Sequence, residues 1–137
     1  MAQEKKETSA DHLVKGKGLV LVVDDEPIMR KIAVNVLELS GYSVMSASDG
    51  DEAVDLYKIH YEKSDLVLLD LLMPRKSGKE TFLEMSDIKP GVKVLLVTGA
   101  KKDKRVEELL GLGIKGYIEK PYKFLHLSQA VFEAVHT

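Results

Sequence analysis

Five short runs of aliphatic residues recur along the 137-residue chain, and they limit its possible folds more than any other feature. The first, third and fourth runs are almost continuously apolar, which is typical of strands covered by helices on both faces. We therefore predict five strands of a parallel sheet, at residues 19–23, 43–47, 66–69, 92–97 and 114–118.

The stretches between these runs have the spacing of amphipathic helices. Ile28, Ile32 and Val36 recur on one helical face, for example, and Gly41 suits the end of that helix. Three predicted helices also carry start signals, a proline or a capping box: Pro27, Asp49 with Glu52, and Ser77 with Glu80. Because β-α-β crossovers are right-handed, we predict a doubly wound (βα)₅ α/β domain with helices on both faces.

The composition fits one domain and excludes several functional classes. Hydrophobic residues make up 45% of the chain, there is no cysteine, and the net charge is −2. The absence of cysteine excludes disulfides, thiolate metal sites and a cysteine nucleophile. The net charge of −2 gives no reason to expect binding to nucleic acid or to an anionic membrane, which favours strongly basic surfaces. No apolar run approaches membrane-spanning length, so we expect a cytoplasmic protein. We interpret residues 1–17 as a flexible tail or linker and 18–137 as the domain.

Polar residues that can carry chemistry follow four of the five predicted strands. They are Asp24 and Asp25 after the first, Asp70 after the third, Thr98 after the fourth and Lys120 after the fifth. The ligand site of an open α/β sheet lies beyond the carboxyl ends of its strands. Three carboxylates there would repel one another by about 4 kcal/mol per close pair at an effective dielectric near 20. A divalent cation and the Lys120 ammonium would offset this repulsion.

The residue types at these strand ends indicate phosphoryl chemistry with magnesium. Oxygen ligands without histidine or cysteine favour Mg²⁺, which is commonly bound by carboxylates and phosphoryl oxygens. Asp70 could then accept a phosphoryl group as an acyl phosphate, with Lys120 and the Thr98 hydroxyl stabilising the phosphoryl oxygens. Alone, Asp24-Asp25 or Thr98-Gly99 would be ordinary turn chemistry. Because these residues all follow predicted strands, their positions favour a phosphoryl-accepting site over unrelated turns.

Four segments give the chain a close resemblance to the receiver domains of two-component response regulators. They are Val-Val-Asp-Asp-Glu-Pro at 22–27, Asp-Leu-Leu-Met-Pro at 70–74 with Gly78, Val-Thr-Gly-Ala at 97–100 and Lys-Pro-Tyr at 120–122. The resemblance covers about residues 18–136 and implies a flavodoxin-like sheet with strand order 2-1-3-4-5.

The resemblance also implies a role for each site residue. Asp70 would be the phosphoacceptor, and Mg²⁺ would be bound by Asp25, Asp70 and the backbone carbonyl of Leu72, with Asp24 acting through a water molecule. The phosphoryl group would be stabilised by Thr98 and Lys120. Tyr117 would be an aromatic switch residue; otherwise it is an amphipathic residue on an edge strand. The Lys120–Pro121 bond is expected to be cis.

In such a receiver, a histidine kinase or phosphotransfer protein would donate the phosphoryl group. Phosphorylation would change the face formed by the fourth helix, fifth strand and fifth helix. Through this face the domain would control an unknown effector. The protein would be a monomer or a weak dimer that forms through the same face. A basic run at the fourth helix lies either on this face or on a solvated helix end: Lys101, Lys102, Lys104 and Arg105. Leu72 and Ala100 cannot orient an attacking water, so we expect slow autodephosphorylation and no enzymatic turnover.

Three other functions fit parts of the pattern. A degenerate receiver would act without phosphorylation. A magnesium-dependent aspartyl phosphatase would need a carboxylate at position 72, where this chain has leucine. A flavin-binding protein would need a phosphate-binding loop after the first strand, where Asp24 and Asp25 would repel phosphate.

Overall fold

The five apolar runs form one parallel sheet in the computed structural model, which describes residues 13–99 and 104–137. The strand order is β2-β1-β3-β4-β5, as the resemblance to receiver domains implied. Neighbouring strands pair in register, for example Val23 of β1 with Leu69 of β3. The strands are β1 Leu19–Val23, β2 Ser43–Ala47, β3 Leu66–Asp70, β4 Val94–Thr98 and β5 Gly116–Glu119.

Five helices cover the two faces of the sheet. They are α1 Pro27–Leu39, α2 Gly50–His60, α3 Gly78–Ile88, α4 Lys104–Gly111 and α5 Phe124–Val135. Because side chains alternate along a strand, Val67 and Leu69 of β3 pack with α2, α3 and α4, whereas Leu66 and Leu68 pack with α1 and α5. Burial on both faces explains why β3 and β4 are apolar almost throughout.

The residues predicted to begin the helices are found at the helix starts, and most of them form the expected capping contacts. Pro27 is the first residue of α1, and Ser77 forms a reciprocal capping box with Glu80. At α2, Asp49 accepts a hydrogen bond from the Glu52 backbone, but the Glu52 carboxylate accepts from the Ser48 N–H, not from that of Asp49. The predicted capping box is therefore only half formed there.

Strand β5 begins two residues later than the sequence predicted. The Ile114 N–H donates to the Leu109 carbonyl oxygen at 3.2 Å, and Gly113 has a φ of 107°. Ile114 is therefore held by the end of α4, and its side chain is buried as part of the core without pairing in the sheet. Apolar character alone could not separate these two roles.

Residues 13–17 pack on the domain, whereas the sequence suggested that they belong to a flexible tail or linker. Leu13 is buried against the α1 and α5 side of the core. The Val14 N–H donates to Ser128 Oγ at 3.1 Å, and the Gly16 N–H donates to the Ser40 carbonyl at 2.9 Å. The domain thus includes these five residues because Leu13 covers apolar surface; residues 1–12 lie outside the described part of the chain.

Among the described residues, no helix is both long and apolar enough to span a bilayer. This agrees with the absence of a long apolar run in the sequence.

Candidate functional site

Three aspartates converge at the carboxyl edge of the sheet. Asp70 is the last residue of β3, and Asp24 and Asp25 follow the adjacent strand β1. One carboxylate oxygen of each lies within 4.8 Å of the others. Asp24 and Asp70 are each only 4% exposed, and Asp25 is half-buried. The fold therefore places three acidic groups together with little water around two of them.

Lys120 lies among these carboxylates and connects β5 to β1 and β3. Its Nζ is 3.0 Å from Asp24 Oδ2 and 3.2 Å from Asp70 Oδ2. A third carboxylate, that of Glu26, is the nearest, at 2.9 Å from Nζ to Oε1. Glu26 is not among the predicted site residues, although it directly follows Asp25 in the 22–27 segment.

The charges in the cluster are only partly balanced. Burial, with a smaller contribution from the Asp24 carboxylate, raises the pKa of Asp70 to about 7 against the opposing effect of the Lys120 ammonium. For Lys120, burial favours a lower pKa, but the carboxylates of Glu26, Asp24 and Asp70 outweigh it and raise the pKa. Lys120 therefore stays protonated, and the folded protein disfavours the ionised form of Asp70.

Backbone hydrogen bonds hold the aspartates in place. Asp24 Oδ1 accepts from the Glu26 N–H at 2.9 Å, and the Arg30 guanidinium donates to the Asp24 carbonyl at 2.8 Å. Asp70 Oδ1 accepts from the Leu72 N–H at 3.3 Å. The Glu26 and Leu72 N–H groups thus orient the two carboxylates, and the Arg30 side chain holds the Asp24 backbone.

The loop after β3 is folded tightly against helix α3. The Gly78 N–H donates to the Leu71 carbonyl at 2.9 Å. A Cβ atom at Gly78 would lie 2.5 Å from the Asp70 carbonyl oxygen and 2.8 Å from Leu71 Cα. Glycine at this position thus allows the loop to approach the first turn of the helix.

The other predicted site residues occupy different environments. Thr98 is fully buried at the end of β4, and its carbonyl accepts from the Lys120 N–H at 2.8 Å. The Lys120–Pro121 peptide bond is cis. Tyr117 is 41% exposed on β5, and Leu72 is exposed after β3. Asp24, Asp25, Asp70, Thr98 and Lys120 therefore lie at the same edge of the sheet, whereas the Tyr117 side chain is on the surface.

Part of the predicted partner-facing region lies outside the described residues. Ala100, Lys101 and Lys102 belong to that gap, and Lys104 and Arg105 are exposed at the start of α4. Tyr122, which is not among the predicted site residues, lies near the acidic cluster. Burial, and then the Asp24 carboxylate, raise the pKa of Tyr122 to about 12.

The acidic cluster fits a magnesium ion. Its donors are carboxylate oxygens on three different residues within 4.8 Å of one another, which suits a hard divalent cation. Burial, and more weakly the Asp24 carboxylate, raise the pKa of Asp70 against the opposing Lys120 ammonium, so Lys120 alone leaves an imbalance when Asp70 is ionised. A bound cation would remove that imbalance.

Comparison with known proteins agrees with this geometry. Residues 20–132 match the family described as the response regulator receiver domain. The chain belongs to that family. Protein CcdB of Bacillus subtilis (strain 168) is 36% identical over 113 residues, which are 82% of this chain and 92% of that protein.

Solved structures show the same fold as this receiver domain. A receiver domain protein from Clostridium thermocellum has a TM-score of 0.82 and 28% identity, covering 87% of this chain and 94% of that chain. A chain in the CheX-CheY-BeF₃-Mg²⁺ complex from Borrelia burgdorferi has a TM-score of 0.79 and 28% identity, with coverage of 92% and 93%. The strand-end residues therefore belong to a domain of two-component signalling.

Proposed function

We propose that this receiver domain accepts a phosphoryl group on Asp70 from a phosphohistidine of a histidine kinase or phosphotransfer protein. The observation that supports this most is the position of Asp70 at the carboxyl edge of the sheet, beside two further aspartates and 3.2 Å from the Lys120 ammonium. A carboxylate in such surroundings is suited to nucleophilic attack on phosphorus, because positive charge lies where negative charge develops.

Asp25 and Asp70 would bind Mg²⁺ directly, with Asp24 acting through a water molecule and the Leu72 carbonyl as a further ligand. The Borrelia burgdorferi complex named above contains Mg²⁺ and BeF₃, which supports a metal in this receiver as well. When bound, Mg²⁺ would neutralise charge on the phosphoryl oxygens and on the carboxylates.

In the transfer, an Asp70 carboxylate oxygen forms a bond to phosphorus while the bond from phosphorus to the donor's imidazole nitrogen breaks. The imidazole leaves with the electron pair of that bond. Lys120 supplies positive charge to the phosphoryl oxygens, and the Thr98 hydroxyl donates a hydrogen bond to one of them. The domain would catalyse its own phosphorylation in this way without turning over a substrate.

Phosphorylation would then shift an equilibrium between two conformations. Movement of Thr98 towards the phosphoryl group and of Tyr117 away from the surface would reshape the face formed by α4, β5 and α5. This face would bind an effector or a second copy of the domain. Leu72 offers no polar group to orient a water molecule, which supports slow loss of the phosphoryl group.

The intact mass of the protein after incubation with acetyl phosphate and Mg²⁺ tests this function. Wild type should gain one phosphoryl group and lose it slowly, over minutes or longer. Asp70→Asn should gain none, because its amide is not a nucleophile. No gain by wild type, or an equal gain by Asp70→Asn, would contradict the proposal and favour a degenerate receiver.

We expect Asp70→Asn to stabilise the metal-free protein and to reduce its response to Mg²⁺. The folded-state pKa of Asp70, about 7, lies above its usual value of 3.8, so ionising Asp70 costs stability as pH rises through this interval. The variant should therefore unfold at a higher temperature than wild type at pH 8 in EDTA, by about 3–4 °C for each kcal/mol of stability regained. At pH 4 the difference should be small.

Added Mg²⁺ should raise the unfolding temperature of wild type and leave that of Asp70→Asn almost unchanged. Thermal melts with and without Mg²⁺ at both pH values measure these effects. An equal Mg²⁺ response in the two proteins would contradict a metal site that includes Asp70.

A further inference from the structure

Glu26 is the exposed member of the carboxylate set around Lys120. Its side chain is 59% exposed, against 6% for Asp24 and 5% for Asp70. It nevertheless makes the shortest contact with the Lys120 ammonium, at 2.9 Å. The backbone N–H of the same residue donates to Asp24 Oδ1. Glu26 thus connects the outer edge of the cluster to its buried part.

The three carboxylates together match the full donor capacity of Lys120. An ammonium group has three N–H donors, and the Lys120 Nζ has three carboxylates within 3.2 Å. A phosphoryl donor approaching the ionised Asp70 would need at least one of these N–H donors for its own oxygens. Glu26 is the partner that can be released at least cost, because water can solvate its exposed carboxylate while those of Asp24 and Asp70 are buried.

We infer that Glu26 is a positioning residue that holds Lys120 at the mouth of the site before phosphorylation and competes with the incoming phosphoryl group for its ammonium. Its negative charge also opposes the approach of an anionic donor, since exposed charges at the entrance of a site act over about a Debye length. This inference rests on the proposed phosphorylation of Asp70. By its charge, Glu26 would set how fast small anionic donors phosphorylate the site.

The Glu26→Gln variant separates this role from a structural one. Glutamine keeps the length of the side chain and an oxygen that accepts from Lys120, but it lacks the negative charge. In the reaction tested, Asp70 bonds to the phosphorus of acetyl phosphate and acetate leaves with the electron pair. We expect Glu26→Gln to be phosphorylated ~5-fold faster than wild type at low ionic strength and saturating Mg²⁺.

Two matched variants serve as controls. Glu38→Gln removes the same charge at the other end of α1, about 18 Å along the helix from Glu26, and should react at the wild-type rate. Glu26→Asp keeps the charge and should react within about twofold of wild type. Rates come from intact mass spectra taken over time with acetyl phosphate and Mg²⁺, at low and at high salt.

The difference in phosphorylation rate between Glu26→Gln and wild type should shrink at high salt, because added ions screen the charge that Glu26→Gln removes. A rate for Glu26→Gln equal to or below that of wild type, or an increase that persists unchanged at high salt, would overturn the inference. If wild type itself is not phosphorylated, or Asp70→Asn is, the proposed function fails instead. The two failures are therefore distinguishable.

Discussion

Lys120→Met is expected to lower the free energy of unfolding of the metal-free protein by about 3 kcal/mol at pH 8. Asp24 and Asp70 are almost fully buried, and Lys120 is the cation that contacts both. Methionine fills a similar volume but leaves two buried carboxylates without that partner, at a separation where they repel each other. Urea denaturation in EDTA measures this loss.

Two comparisons make the result specific to the cluster. Lys58→Met removes the same charge from the exposed face of α2 and should change stability by less than about 0.5 kcal/mol. In the Lys120→Met background, Asp70→Asn should recover much of the loss because it removes one of the uncompensated charges. If Lys120→Met were as stable as Lys58→Met, the cluster would not depend on the lysine for its charge balance.

Gly78→Ala is expected to cost about 3 kcal/mol or more, because the added methyl group meets backbone and not a flexible side chain. Its Cβ would lie 2.5 Å from the Asp70 carbonyl oxygen and 2.8 Å from Leu71 Cα. The loop must move to make room, and Asp70 is part of what moves. Phosphorylation by acetyl phosphate should therefore become slower together with the loss of stability.

Gly111→Ala is the matched control for this substitution. A Cβ at Gly111, the last residue of α4, meets no atom within 4 Å. Alanine there should leave stability unchanged or raise it by about 0.5 kcal/mol, since it restricts the unfolded chain. Urea denaturation of both variants measures the contrast, and a Gly78→Ala protein as stable as Gly111→Ala would contradict the tight packing of the loop.

The sequence predicted the parts of the fold that follow from periodic patterns. Apolar runs buried on both faces identified a parallel sheet, and the polar residues at the strand ends then had to lie at one edge. This is why the sequence alone groups Asp24, Asp25, Asp70 and Lys120 in one site.

The remaining features depend on contacts between distant residues. Nothing in the local pattern distinguishes Glu26 from a solvated carboxylate, because its contact is with a lysine 94 positions away. Leu13 stands in a polar stretch, and only its packing against α1 and α5 reveals that it belongs to the core. The sequence predicts Ile114 in β5 because burial at a helix end and burial in a strand have the same apolar signature.

The most direct test of the phosphoacceptor role is to locate the acyl phosphate on the chain. Borohydride reduction of the protein treated with acetyl phosphate and Mg²⁺ converts a phosphorylated aspartate to homoserine, which peptide mass mapping assigns to a position. We predict homoserine at position 70 and at no other aspartate. Homoserine at Asp24, Asp25 or elsewhere, or its absence from protein that has gained a phosphoryl group, would contradict the assignment.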